Sequence, residues 1–265
     1  MKEIRINSWN ELLDEMFQGA FNTNINRFRS PYLFRGMSDK DWELKNTLYR
    51  NCGEQSNELE KSLIRNFSKY AAKEIAMIPG VDSVWKTLAT AQHNGLPTRL
   101  LDWTYSPLVA MHFATEDLGK YEKDGVIWCA NYYNLRNILP SDAQKLLDSE
   151  SSFVFTNEML TKLFSGLSEF DDSKTDNEDY FLFFEPPAID LKIINQYALF
   201  SMSTNVEKPL GKLLNTDSFK KIIIPAALKW ELRDKLDQLN INERVLFGGL
   251  NGLTSWLARQ YITEK

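Results

Sequence analysis

Between Ala91 and Thr115 the chain reads AQHNGLPTRLLDWTYSPLVAMHFAT, and this block narrows the local fold more than any other stretch. Gly95-Leu96-Pro97 is a turn signature: glycine takes positive φ without steric penalty and proline fixes its own φ. Ser106 then has the chemistry of an N-cap, and Pro107 suits the first helical position, where its missing N–H leaves no bond unmade. Leu108, Met111 and His112 follow at helical spacing, with Val109 and Phe113 on the same broad face. A turn crowded with Gln92, His93, Thr98, Arg99, Asp102 and Thr104 thus feeds a buried helix. The chain has two histidines, both in this block. His112, on an otherwise apolar helix, reads as a hydrogen-bonded core residue. His93, beside Asn94-Gly95, is the candidate for proton transfer or ligand contact. Asp102 stands between Leu101 and Trp103, which predicts a partly buried carboxylate held by Arg99 or Arg35. It serves equally as a turn cap or as a site residue.

The 265 residues suffice for one large domain or two small ones, and 43% hydrophobic with 25% charged residues is the balance of a soluble globular chain. A net charge of −5 argues against binding duplex nucleic acid by bulk electrostatics. The opening MKEIRINSWNELLDEM has no apolar stretch of the signal-peptide kind, and no run approaches a membrane span. Cys52 and Cys129 lack metal-ligand spacing and read as free thiols of a reducing cytoplasm. The expectation is a cytoplasmic protein with no membrane association and no metal.

Along the chain, Ser8 with Glu11 caps a helix whose apolar face is Leu12, Leu13 and Met16. Pro31 to Gly36 reads as a short strand carrying Arg35, a cation that needs a partner once buried. That partner is an acid such as Asp102 or Glu43, or else the anion of a ligand. Asn57 to Ile78 reads as one long helix with Leu59, Leu63, Phe67, Tyr70, Ala71 and Ile75 inward. Ser83 to Gln92 is a second helix. Strands are expected at 125–130, 181–184 and 220–225, with helices at 141–147, 157–164, 226–239 and 250–261. A loop or short helical turn at 193–197 leads into a further strand. EFDDSKTDNED, residues 169–179, reads as an exposed, mobile loop. With no linker, repeat or low-complexity tract, the chain should form a single α+β domain over 1–265. A central mixed or antiparallel sheet with flanking helices is expected, and the part before about residue 90 should be a helical layer packed on it.

Four blocks together resemble the FRG-domain family, named for its Phe-Arg-Gly motif. They are Tyr32 to Gly36; Gln92-His93 with Gly95 to Thr104 and Pro107; Ile193/Ile194 with Gln196 and Leu199-Phe200; and Leu246-Phe247 with Leu250, Gly252 and Leu253. In the third block Lys192 or Ile193 and Ala198 stand where the family usually has arginine and glycine. The order of blocks is similar to the plan of ADP-ribosyltransferases, which implies that fold and NAD as substrate. On this resemblance Arg35 would hold phosphate or ribose, and Gly36 would let the nicotinamide approach. Thr98 or Thr104, with Arg99, would complete the cofactor contacts. Gln196 stands where an acid is normal, so Asp102 or Glu185 would supply the charge. The resemblance also implies a bacterial toxin or phage-defence effector that modifies a macromolecule, either protein or single-stranded nucleic acid, and that is restrained by an antitoxin protein. Trp103, Tyr105, Tyr132 and Tyr133 are the candidate stacking aromatics for the latter acceptor. Two other readings stay open: a non-catalytic recognition module, and an NAD glycohydrolase in which His93 or Asp102 activates water.

Overall fold

The apolar runs assemble into one mixed eight-stranded sheet, seen in a computed structural model that describes residues 1–176, 178–188, 190–213 and 218–262. In chain order the strands are β1 (Lys2–Arg5), β2 (Phe21–Asn22), β3 (Arg27–Phe28), β4 (Tyr32–Met37), β5 (Leu101–Thr104), β6 (Gly125–Asn131), β7 (Phe155–Thr156), β8 (Phe181–Glu185), β9 (Ala198–Ser203) and β10 (Phe219–Ile224). The spatial order is β1-β10-β6-β4-β5-β9-β8-β7; β2 and β3 form a separate hairpin. Neighbours pair antiparallel except β1 with β10 and β7 with β8 at the two edges. The α+β expectation with flanking helices is met.

Both faces of the sheet are covered, which is why β6 reads as a continuous apolar run. Leu101, Trp103, Val126, Trp128, Phe181, Phe183 and Ile223 fill one face. On the other, Phe34, Ile127, Cys129, Ile222 and Ile224 pack under the helices Trp9–Phe17, Pro107–Thr115 and Lys229–Gln238. Beyond them Leu182, Phe184, Phe200 and Met202 meet a separate group of helices that includes Val84–His93.

The capped helices start where their chemistry dictates. Ser8, Ser83 and Ser106 accept from the backbone N–H of Glu11, Lys86 and Val109. The helix Val84–His93 ends in a Schellman arrangement: Leu96 N–H bonds to Ala91 O and Gly95 N–H to Gln92 O, with Gly95 at φ 84°.

Three expectations are corrected. The helix predicted over 57–78 is two, Ser56–Tyr70 and Ala72–Ala76, and its buried face carries Ser56, Glu60 and Ile64. Tyr70 is 78% exposed and Leu59 39%. Arg99 sets this register, because its buried guanidinium bonds Glu60 at 2.5–3.0 Å and also pairs with Asp171. Nor is 169–179 a solvated loop throughout. Leu167–Asp172 is helical, and Phe170 is fully buried with its ring 6.0 Å from Trp85 and 5.3 Å from Phe164; Asn177 lies outside the described residues. The part before residue 90 is not purely a helical layer, since β1 and β4 belong to the main sheet.

The helix Pro107–Thr115 lies unusually near the sheet. A Cβ on Gly36 would stand 1.8 Å from Ala110 O, and one on Gly125 2.6 Å from Ala114 O. Gly36→Ala is therefore expected to cost about 3 kcal/mol or more, read as a lowered denaturant midpoint, because backbone must move. A change near zero would show that the helix shifts freely.

A buried ionic cluster ties the C-terminal helices to Lys229–Gln238. Glu243 accepts from Arg233 and Arg259 at 2.7 Å, and Arg259 also bonds Asp237. Desolvation raises the Glu243 carboxyl, but the Arg259 hydrogen bonds and the Arg233 charge prevail and hold it at about 2. The folded value lies below the ordinary 4.5, so this contribution is present above pH 4.5 and lost as pH falls toward 2. Glu243→Gln should start about 3 kcal/mol less stable near neutrality and show a shallower acid decline in denaturant titrations across that window.

Candidate functional site

β4 and β5 pair at a single position, Phe34 opposite Thr104. A cavity of about 360 Å³ opens there, lined from β4, from β5, from the ends of the helices Val84–His93 and Pro107–Thr115, and from the helix Leu191–Gln196. Arg35 bridges the two strands: its Nη1 donates to Asp102 O at 2.6 Å and lies 3.8 Å from Asp102 Oδ2. Its Nε is buried and without a hydrogen-bond partner among the described residues. Burial lowers the Arg35 pKa; the Asp102 and Glu116 charges oppose this, while Arg50 reinforces it.

Asp102 is held by a short relay. Leu100 N–H donates to Thr98 Oγ1 at 3.1 Å, the Thr98 hydroxyl donates to Gln92 Oε1 at 2.6 Å, and Gln92 Nε2 donates to both Asp102 oxygens at 3.1–3.2 Å. The relay fixes which end of the Gln92 amide faces the carboxylate. The Asp102 side chain is 58% exposed, which corrects the expectation of partial burial: alternation along β5 buries Leu101 and Trp103 and turns Asp102 to the cavity. His93 Nε2 lies 2.5 Å from Asp190 Oδ2, and Asp190 caps the helix Leu191–Gln196 through the N–H groups of Lys192 and Ile193. Desolvation raises the Asp190 carboxyl, but these hydrogen bonds outweigh it and lower the pKa.

The cavity gathers Arg35, Gly36, His93, Asp102, Thr104 and Gln196. Gln196 Nε2 donates to Leu246 O at 3.2 Å, and Thr104 Oγ1 donates to Gln196 O at 2.7 Å. Thr98 and Arg99 do not line it. Thr98 acts through Gln92, and the guanidinium of Arg99 is taken up by Glu60 and Asp171, so direct ligand contact is corrected to a structural role for both. Gly36 also has a packing reason, because its missing Cβ admits Ala110 O. Glu185, a candidate acid, is away from the cavity and accepts from Tyr105 OH at 2.8 Å. Among the proposed stacking aromatics, Trp103 is core, with Nε1 donating to Ser201 Oγ. Tyr105, Tyr132 and Tyr133 pack on one another.

Sequence reasoning missed the walls. Trp42, Phe113 and Phe247 line the cavity, with the last two rings 6.2 Å apart; Arg50, Lys45 and Glu116 face it too. Two of these had a legible signal: Phe247 stands in the fourth resemblance block, and Glu116 lies four residues after His112, one helical turn away. Among the described residues no cluster of His, Cys, Asp and Glu could hold a metal, and no helix is long and apolar enough to cross a membrane.

An α+β fold whose cavity is built around a strand arginine and the turn before a capped helix defines the class. The model of the FRG domain family matches residues 30–123, which run from just before β4 to just before β6. Gln196 and Phe247 reach the cavity from outside the matched segment. No curated protein and no solved structure shows a significant match to the chain.

Because Arg35 bonds the backbone carbonyl of residue 102, Asp102→Asn should leave that tether intact. Its expected cost is below about 1 kcal/mol, as for other exposed pairs, measured by thermal melting. A loss of several kcal/mol would mean that the carboxylate, not the carbonyl, holds the arginine.

Proposed function

We propose that this cavity binds NAD as substrate and that the protein transfers ADP-ribose to a macromolecular acceptor. The observation that carries the reading is Arg35, half-buried, its buried Nε without a partner among the described residues and its charge opposed by Arg50, in a cavity with aromatic walls. Two guanidinium groups with mutually unfavourable charges are relieved by an anion such as the pyrophosphate, and arginine's planar fork suits phosphate oxygens. Trp42, Phe113 and Phe247 offer faces for the flat rings of a dinucleotide. The three strands that bear or adjoin Arg35, Thr104 and Gln196 are neighbours in the sheet, in the order β4-β5-β9, which is consistent with the family resemblance.

Transfer breaks the bond between the ribosyl carbon and nicotinamide, whose nitrogen keeps the electron pair. The acceptor's lone pair forms the new bond and its proton leaves to solvent. In a bacterial cell such a transfer would act as a toxin or phage-defence effector, with an antitoxin protein as its restraint. Hydrolysis is the second reading. It is favoured by His93, which lines the cavity and is held by Asp190, so that a water beside it has a base.

NAD labelled in its adenylate half separates the readings on incubation with the protein and cell extract. Label on a macromolecule supports transfer, free ADP-ribose supports hydrolysis, and bound but unchanged NAD supports recognition alone. Arg35→Lys keeps the charge and loses the fork, so NAD affinity by calorimetry should fall about tenfold or more with little change in melting temperature. Unchanged affinity would remove Arg35 from the binding role.

A further inference from the structure

Departure of nicotinamide leaves positive charge on the ribosyl carbon, and fixed negative charge beside it lowers that barrier. Gln196 carries none. Four carboxylates line the cavity: Glu43, Asp102, Glu116 and Asp117. Glu43 pairs with Lys45 at 2.6 Å, Gln92 donates to both oxygens of Asp102, and Asp117 Oδ1 accepts from Gly119 N–H at 2.9 Å. Glu116 has no such engagement among the described residues. Its Oε2 lies 3.5 Å from His112 Nε2, a fully buried nitrogen without a hydrogen-bond partner.

The other side of that imidazole fixes its tautomer. Arg233 Nη1 lies 2.8 Å from His112 Nδ1, and a guanidinium only donates, so Nδ1 accepts and Nε2 keeps its proton. Desolvation pushes the His112 pKa down, and Arg233 adds to this against the opposing charge of Glu116. A neutral imidazole therefore keeps an unpartnered Nε2–H inside the core, 3.5 Å from Glu116 Oε2. Arg233 is anchored in turn by Glu243. The chain Glu243–Arg233–His112–Glu116 runs from the buried cluster to the cavity wall.

We propose that Glu116, taking up the unpaired Nε2–H of His112 when the cavity is occupied, is the carboxylate that stabilises the ribosyl cation in this cavity. The assignment rests on the NAD reading. Glu116 forms no bond in the step. The carbon–nitrogen bond breaks with its pair going to nicotinamide, the acceptor oxygen or nitrogen bonds to the carbon, and its proton passes to solvent. Glu116 is the catalytic residue, and His112 is a positioning residue that limits the carboxylate's rotation.

Three measurements on the full chain test this: NAD affinity by calorimetry, nicotinamide release by chromatography, and the 15N resonances of His112. Glu116→Gln keeps shape and removes charge. It should bind NAD within about threefold of the parent and release nicotinamide at least about a hundredfold more slowly. Glu116→Asp keeps the charge and loses reach, so its rate should fall between the two. With the cavity occupied, the Nε2 resonance of His112 should move in Glu116→Gln while Nδ1 stays. Nicotinamide release at the parent rate in Glu116→Gln overturns the assignment and leaves the NAD reading standing. Loss of NAD binding in that variant makes Glu116 a ground-state contact and also overturns it. An unmoved Nε2 resonance overturns the orienting role of His112. A parent that leaves NAD intact overturns the NAD reading itself, and the assignment with it.

Discussion

The closest approach of the helix Pro107–Thr115 to the sheet occurs where Ala110 O occupies the place of a side chain at position 36. A second glycine, Gly125, meets Ala114 O on the neighbouring strand β6. These contacts fix the helix axis over β4 and β6 with no side chain between to give slack. The site depends on that rigidity. Phe113 and Glu116 sit at the end of this helix and Arg35 on the strand beneath, so their relative placement is set by backbone contact. Within Phe34-Arg35-Gly36 the three residues divide the work. Phe34 is core, Arg35 faces the cavity, and Gly36 brings helix and strand together.

Where β4 and β5 part, the sheet gives up backbone pairing, and something must satisfy the freed groups. Arg35 does so for Asp102 O. With the Asp102 carboxylate 3.8 Å away, that bond adds to what holds the guanidinium, since a charge-assisted bond to a carbonyl offsets part of the desolvation cost. The turn before β5 carries the rest of the arrangement. Its Schellman end turns the chain back at Gly95, and Thr98 then reaches Gln92 at the end of the preceding helix. A side chain ahead of the turn is thus locked by one behind it, and the Asp102 carboxylate inherits its position from both.

What was legible in the sequence was local. Caps at Ser8 and Ser106 depend on one side chain and the next turn of backbone, so those helix starts could be read directly. The register of Ser56–Tyr70 could not, because it turns a glutamate inward, against hydrophobic periodicity. The reason is Arg99, 39 residues away in sequence. Phe170 was hidden likewise: it lies in an acidic run, and Asp171 beside it is an ion-pair partner of buried Arg99 more than a solvating charge. In the site, Gln92, His93 and Asp102 were visible because polar groups near glycine and proline turns are conspicuous, whereas Gln196 was singled out only by the family resemblance. Trp42 and Phe113 were not, since an aromatic lining a cavity and one filling a core look the same in one dimension.

The cavity holds both signs of charge in close quarters: Arg35 and Arg50 on one side of the balance, Asp102 and Glu116 on the other. The chain's overall charge of −5 says nothing about this local arrangement. A purely anionic ligand would meet the carboxylates, and a purely cationic one would meet the arginines. A ligand that carries both an anionic and a cationic group would find a partner for each. On the proposed NAD reading, the acids would gain more from positive charge developing on a sugar carbon than from the bound substrate.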